Sequence, residues 1–334
     1  MNIYMSKNPH QNYLISIFNL FQLADPKMEP LELKIKINNI ITSHGFIASG
    51  ISEPAKLSPE ENYFRRWLRD GKNAGMKWLN NTAEKRTNPY LVMPDVKSVI
   101  SLAYLYDTPF NHPSDANIPK ISRYAWGSVD YHKLIKKKLK SICWEIEELK
   151  AGIKTIYYVD DGPVMDKVWA VKSGIGWMGK HTNVINPDFG SFFFLSEILL
   201  NIELLTDNPI DDLCGTCRIC VDACPTGAIS GEYSLDSNLC ISYHTIENRG
   251  EIPAYINLDG WIFGCDVCQD VCPFNNKKFF TNDTGFYPKE SVFNKTQEEL
   301  LSLSEEQFQS EFSGTPVKRT KYTGWRRNLN NLFH

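Results

Sequence analysis

The run CGTCRICVDACP, residues 214–225, places four cysteines within eleven positions and follows the last with proline. Its spacing, C-x2-C-x2-C-x3-C, is that of bacterial two-cluster ferredoxins, in which the fourth cysteine ligates the other cluster. A second run, Cys265, Cys268 and Cys272 followed by Pro273, lacks one cysteine of that spacing, and Cys240 stands alone between the two runs. Two [4Fe-4S] cubes are therefore expected, one on Cys214, Cys217, Cys220 and Cys272, the other on Cys265, Cys268, Cys240 and Cys224. Structural zinc pairs two C-x2-C knuckles and has no use for a third cysteine three positions on, or for Cys-Pro twice. The order x2 then x3 is the reverse of the radical-SAM spacing, so that chemistry is not indicated. A secreted disulfide scaffold would be short and cysteine-dense throughout. Here eight of nine cysteines lie between Cys214 and Cys272 of a 334-residue chain. The ninth, Cys143, falls in the helical pattern LKSICWEIEELK and is expected as a core thiol.

Two adjacent clusters conduct electrons but do not say where the electrons go. The net charge of −3 gives no strong overall attraction to nucleic acid or membrane, so any nucleic-acid site must be a local patch. No apolar run is long enough for a transmembrane helix. The segment YLISIFNLFQLA (13–24) is interrupted by Ser16, Asn19 and Gln22 and lacks a small-residue cleavage site. A cytoplasmic protein is expected, with no membrane partner. Residues 1–27 read as a poorly ordered extension or an upstream start, because an amphipathic helix begins at Met28.

The preceding two hundred residues alternate helix and strand patterns. VKSVISLAYLY (96–106), IKTIYYV (153–159) and GSFFFLSEILLN (190–201) read as strands, and residues 130–152 as a helix ending at Gly152. The expected fold class is α/β (α+β) over 28–205, followed by a two-[4Fe-4S] ferredoxin-like domain over 206–280 and C-terminal helices with a basic tail over 281–334. Neither GxGxxG nor GxxxxGK[ST] occurs, so a Rossmann site and a P-loop are not supported. The strand at 153–159 runs into Asp160 and Asp161, beyond the end where α/β sheets bind ligands. One of these acids could react, or could cap the next helix. The segment GIGWMGKHTN (174–183) has three glycines, suiting either close approach to a flat ligand or a tight turn.

Taken together, VDDGPVMDKVWAVKSGIGWMGKHTN, GSFFFLSEILL, CGTCRICVDACPTGAI, CISYHTIE and GCDVCQDVCPFN resemble the epoxyqueuosine reductase (QueG) family. The resemblance extends upstream through GMKWL, KRTNP and RYAWGSVDYH and spans roughly residues 30 to 330. It implies cobalamin beside the two clusters, and reduction of epoxyqueuosine to queuosine at the wobble position of tRNA, the last step of that modification. By position, Asp160 matches the family's proton donor. Arg86, Trp126, Asp160, Lys180, His181, Val184, Ser242 and Asp266 fall at or beside positions around the corrinoid, with Trp126 a candidate for the lower face of the cobalt. To be protonated near neutral pH, Asp160 should be desolvated, with a raised pKa. His132 lacks the glycine of a DxHxxG motif, so no protein histidine is expected below the cobalt. A low-potential donor of the ferredoxin or flavodoxin kind and a monomeric state are also expected. Reductive dehalogenation uses the same cofactors, but no twin-arginine signal is present. A non-catalytic electron carrier would not need the Asp160 segment.

Many family members continue into helical repeats, and the resemblance implies a short form without them. The tail, PVKRTKYTGWRRN (316–328), carries Lys318, Arg319, Lys321, Arg326 and Arg327 around Tyr322 and Trp325. This suits phosphate contact and base stacking, or a solvated terminus pairing with the acidic stretch 296–312. The resemblance favours RNA. His244 and Arg249, in YHTIENRG, are candidates to face the tRNA. Two capping boxes, Thr296 with Glu299 and Ser304 with Gln307, predict helix starts.

Overall fold

The structure is a computed structural model and describes residues 29–276 and 279–332. The expected extension 1–27 lies outside the described residues. The strands are β1 (Ala48–Ser52), β2 (Ser98–Leu105), β3 (Lys120–Ile121), β4 (Thr155–Tyr158), β5 (Trp177–Met178), β6 (Val184–Ile185), β7 (Phe193–Leu200), β8 (Ile229–Gly231), β9 (Ser234–Leu235) and β10 (Trp261–Phe263).

The main sheet has the order β1-β2-β7-β4, and every pair in it is antiparallel. β2 reads SVISLAYL and is buried at all eight positions, as a strand covered on both faces must be. One face carries the helices α1 (Pro30–Ser43) and α2 (Tyr131–Glu148) around Ile100, Leu102 and Ile198. α2 buries Ile135, Leu139, Ile142, Cys143 and Ile146 at helical spacing, and Asp130 caps it by accepting from the His132 amide. Cys143 is the core thiol expected, its pKa pushed up to about 12 by burial. The other face is covered by α3 (Asp166–Lys172), whose Trp169 and Ala170 pack on Leu199 and Ala103. The mixed class read from the sequence holds. The sheet is antiparallel, so the parallel-sheet rule that pointed to Asp160 does not apply. Asp160 stands at the site because edge strand β4 turns there.

The cysteine region packs its two short helices, Ile219–Asp222 and Val267–Asp270, against each other. It is not a detached unit. β10 pairs in parallel with β3 from the upstream region. A single apolar cluster joins Ile121 and Trp126 to Ile262, Phe263, Phe308, Phe312 and Trp325. The boundaries expected at 205 and 280 are thus crossed by shared core. Both capping boxes form as expected and start the helices Gln297–Leu301 and Glu305–Glu311. Among the described residues no helix is long and apolar enough to cross a membrane.

Candidate functional site

Mutual charge among the eight cysteines runs mainly within the two expected sets, with Cys220 also acting on Cys268. Burial raises the pKa of Cys220, and the charges of Cys272, Cys214 and Cys217 raise it further. Cys272 likewise feels Cys214 and Cys217. In the other set, burial and then Cys268 and Cys240 act on Cys265, while Cys240 and Cys224 act on Cys268. Among the described residues no three His, Cys, Asp or Glu side chains converge on one ion. A cubane asks for something different, one thiolate on each of four irons. All four cysteines of the second set line one cavity of about 280 Å3, which is the opening such a cluster needs. The Trp177 indole donates to Cys214 Sγ at 3.4 Å, a bond of the kind that tunes a cluster's potential.

The same cavity is lined by His181, Ser242 and Asp266. A second cavity, about 290 Å3, is lined by Asp160, Val184, Tyr131, Asp166 and aromatic residues of β7. Lys167, Asn183, Tyr124 and Gln269 border both, so the two openings adjoin across Lys167. Five of the expected corrinoid residues therefore meet around one divided space.

Its walls are polar and incompletely satisfied. His181 is 3% exposed, and its Nδ1 accepts from the Asn183 amide at 3.1 Å. That assigns the proton to Nε2, which has no partner among the described residues. Burial, and secondarily the charge of Lys167, lowers the His181 pKa to about 4, so it is neutral at pH 7. Lys167 donates to Thr182 O and Asn183 Oδ1, both at 2.9 Å. Protein packed around its ammonium pushes the pKa down, and Asp160 pulls it back up. A buried imidazole N–H without an acceptor and a partly desolvated ammonium fit a large ligand rich in amide and phosphate groups.

Asp160 has φ +55°, a left-handed conformation uncommon for a non-glycine residue. Neither it nor Asp161 caps α3, whose N-cap is Met165 without a side-chain bond. Asp161 instead pairs with Lys136. The Tyr131 hydroxyl donates to Asp160 Oδ2, and His132 Nε2 lies 3.7 Å away. The Asp160 side chain is 66% exposed. The desolvation expected of Asp160 is thus absent from the chain's own walls, because the residue sits at the cavity mouth.

Other expected residues lie elsewhere. Trp126 is 2% exposed in the C-terminal core, donating to Ile121 O at 2.6 Å, and does not line either large cavity. Lys180 is buried and supports the first cysteine loop, donating to Gly215 O at 2.7 Å and pairing with Glu232 at 2.9 Å. Arg86 donates to Val164 O at 3.0 Å and so braces the segment carrying Asp160 and Asp166. The glycines of 174–179 serve the protein itself. A Cβ on Gly174, at φ +77°, would meet Asn208 O at 2.4 Å, and one on Gly176 would meet Ile185 O at 2.2 Å.

The tail is mostly internal stitching. Trp325 is fully buried and cannot stack on a base, and Tyr322 is half-buried with its hydroxyl donating to Leu303 O. Arg327 donates to Asn248 O, Gly250 O and His244 O, and Arg326 to Leu301 O. His244 is 3% exposed and bonded to Asn238 O, and Arg249 caps its own helix at Ile246 O. Arg326 and Arg327 are half-buried and satisfy backbone carbonyls, whereas Arg249 is exposed. Lys318 and Lys321 are exposed. Arg319 pairs with Glu247 and lies close enough for the charge of Asp160 to act on it.

Sequence reasoning missed Tyr131, Lys167, Asp166 and Glu197. A signal for Glu197 was present, since it is the lone acid in the apolar strand FFFLSEILL.

Comparison with known proteins gives concordant matches. Residues 86–161 match the family model described as epoxyqueuosine reductase QueG, and residues 213–275 match a 4Fe-4S double cluster binding domain. An epoxyqueuosine reductase from Atelocyanobacterium thalassa is 45% identical over 306 residues, covering 89% of this chain and 98% of that protein. One from Cellulophaga algicola is 42% identical over 290 residues, covering 86% and 94%. Among solved structures, an epoxyqueuosine reductase with an epoxyqueuosine-modified tRNA-Tyr stem loop superposes with a TM-score of 0.82 at 28% identity, covering 91% of this chain and 81% of that one. The enzyme from Streptococcus thermophilus gives 0.80 at 28% identity, covering 90% and 80%.

Proposed function

The chain belongs to the epoxyqueuosine reductase family, and we propose that it reduces epoxyqueuosine in tRNA to queuosine with Asp160 as the proton donor. The observation that carries this reading is the placement of Asp160 at a cavity mouth that adjoins the second cysteine set across Lys167. Cobalamin, when bound, supplies a low-valent reductant that the two clusters recharge one electron at a time.

The chain's own residues would hold the reacting groups and manage protons. His181, Val184, Ser242 and Asp266 line the space for the corrinoid. Asp266 is fixed there by Ser122, by the Arg123 amide at 2.7 Å and by His112 at 3.1 Å. Tyr131 orients the Asp160 carboxyl at the mouth, which a nucleobase would cover. Lys167 offers a positive charge beside the oxygen that leaves. Lys318, Arg319 and Lys321 are positioned to meet RNA phosphates near the entrance.

The test is an anaerobic assay of reconstituted protein with an epoxyqueuosine-bearing tRNA stem loop and a low-potential reductant. Queuosine should form only when cobalamin is present. Formation without cobalamin, or dehalogenation of a chlorinated phenol with no action on RNA, would contradict the reading.

A further inference from the structure

Reduction of an epoxide to an alkene consumes two electrons and two protons. Both carbon–oxygen bonds break, and the oxygen departs as water. On the proposed reading Asp160 delivers one proton, and a nucleobase in the cavity mouth would separate it from bulk solvent. The second proton needs a source inside.

Glu197 is fully buried on the α3 face of β7, opposite Ser101 on β2 and Tyr158 at the end of β4. Asp166, the first residue of α3, lines the cavity with Asp160. Neither oxygen of Glu197 has a hydrogen-bond donor among the described residues, and neither does Asp166 Oδ1. The two carboxyls face each other. Two carboxylates in contact have no donor between them, so only a retained proton gives these atoms a bond. Arg86 bonds Val164 O and Thr82 Oγ1, and Lys167 bonds Thr182 O and Asn183 Oδ1, so neither cation neutralises the pair directly.

We propose that Glu197 and Asp166 form a buried acid pair that refills Asp160 with the second proton of each turnover. Asp160 first protonates the oxygen as one carbon–oxygen bond opens. An O–H bond of the pair then breaks, and its proton passes through Asp166 to the Asp160 carboxylate. Asp160 delivers it as the remaining carbon–oxygen bond breaks, and water leaves. The electrons are those the clusters supply. Solvent reprotonates the pair after product departs. Burial first raises both pKa values; the Asp166 charge and hydrogen bond raise that of Glu197 further, whereas at Asp166 the bond from Glu197 works against burial and the charge of Asp160 adds to it. Among the described residues, the charged and titratable groups facing the pair are Asp160, Arg86, Lys167 and the cross-strand Tyr158, with Tyr131 and His132 beyond Asp160.

The inference rests on Asp160 as donor, and the experiment separates the two claims. E197Q keeps the shape of the side chain and a donor toward Asp166 but removes the transferable proton. Its holoenzyme should lose at least about tenfold in kcat near pH 8, with KM for the RNA unchanged, and recover toward wild type near pH 6. Infrared difference spectra of the apoprotein should show a protonated-carboxyl band at neutral pH that E197Q lacks. D166N reads the same pair if E197Q folds poorly. Wild-type kcat in E197Q across that range, a loss equal at every pH, or no such band would overturn the relay. Failure of the Asp160 reading would instead show as activity in D160N.

Discussion

His181 Nε2 and Asp166 Oδ1 in the cavity walls, and both oxygens of the fully buried Glu197, have no hydrogen-bond partner among the described residues. In the C-terminal tail, Arg326 and Arg327 each engage backbone carbonyls, and Trp325 is sealed in the core. Both regions read from sequence as charge mixed with aromatics. The difference lies in whether the polar groups are already used. A buried donor or acceptor left unpaired costs stability, so a chain that keeps several in one place has a use for them. A cation bonded to two or three carbonyls has its work inside the fold.

That contrast can be broken by substitution. The largest effect expected is on D160A, which should lower turnover by at least about a hundredfold while cobalamin stays bound. Near-normal turnover, measured by queuosine formed per minute, would remove Asp160 from the chemistry. Loss of one thiolate from each set should be selective. C240S and C272S should each fall from about eight irons to about four per chain, with the other cluster still visible by electron paramagnetic resonance. A variant losing both clusters would contradict the separation into sets.

In the tail, W325A should destabilise the protein by about 3–5 kcal/mol, read from denaturant midpoints, because Trp325 fills the core with Phe308 and Phe312. Reversing Lys318 and Lys321 should instead leave stability unchanged and weaken RNA binding with a shallower salt dependence. If W325A weakened RNA binding without loss of stability, the tail would be a binding surface after all. The smallest effect concerns His181. Its folded-state pKa of about 4 lies below the unfolded 6.5, so its contribution is present above the unfolded value and lost as pH falls toward the folded one. The stability difference between wild type and H181F should shrink by about 2 kcal/mol between about pH 7 and pH 5.

Much of the architecture is legible in the sequence because it depends on local pattern. The strands at 98–105 and 193–200, the helix at 131–148 and both capping boxes follow from period and cap chemistry. The spacing alone proposes the division of the cysteines into two sets. The site is less legible because proximity across the fold decides it. Lys180 and His181 are adjacent in sequence, yet one braces a cysteine loop and the other faces the cavity. Trp126 and Trp325 look available in one dimension and are consumed by a core that joins segments two hundred residues apart. Glu197 and Asp166 meet only because α3 packs on β7.

The measurement that reaches the central claim most directly is a single-turnover assay of D160N, anaerobic, with both clusters and cobalamin loaded and epoxyqueuosine-bearing RNA bound. The account predicts reduced cofactors and bound RNA with no queuosine released. Queuosine appearing at the wild-type rate would show that the cavity mouth around Asp160 is not where the epoxide is opened.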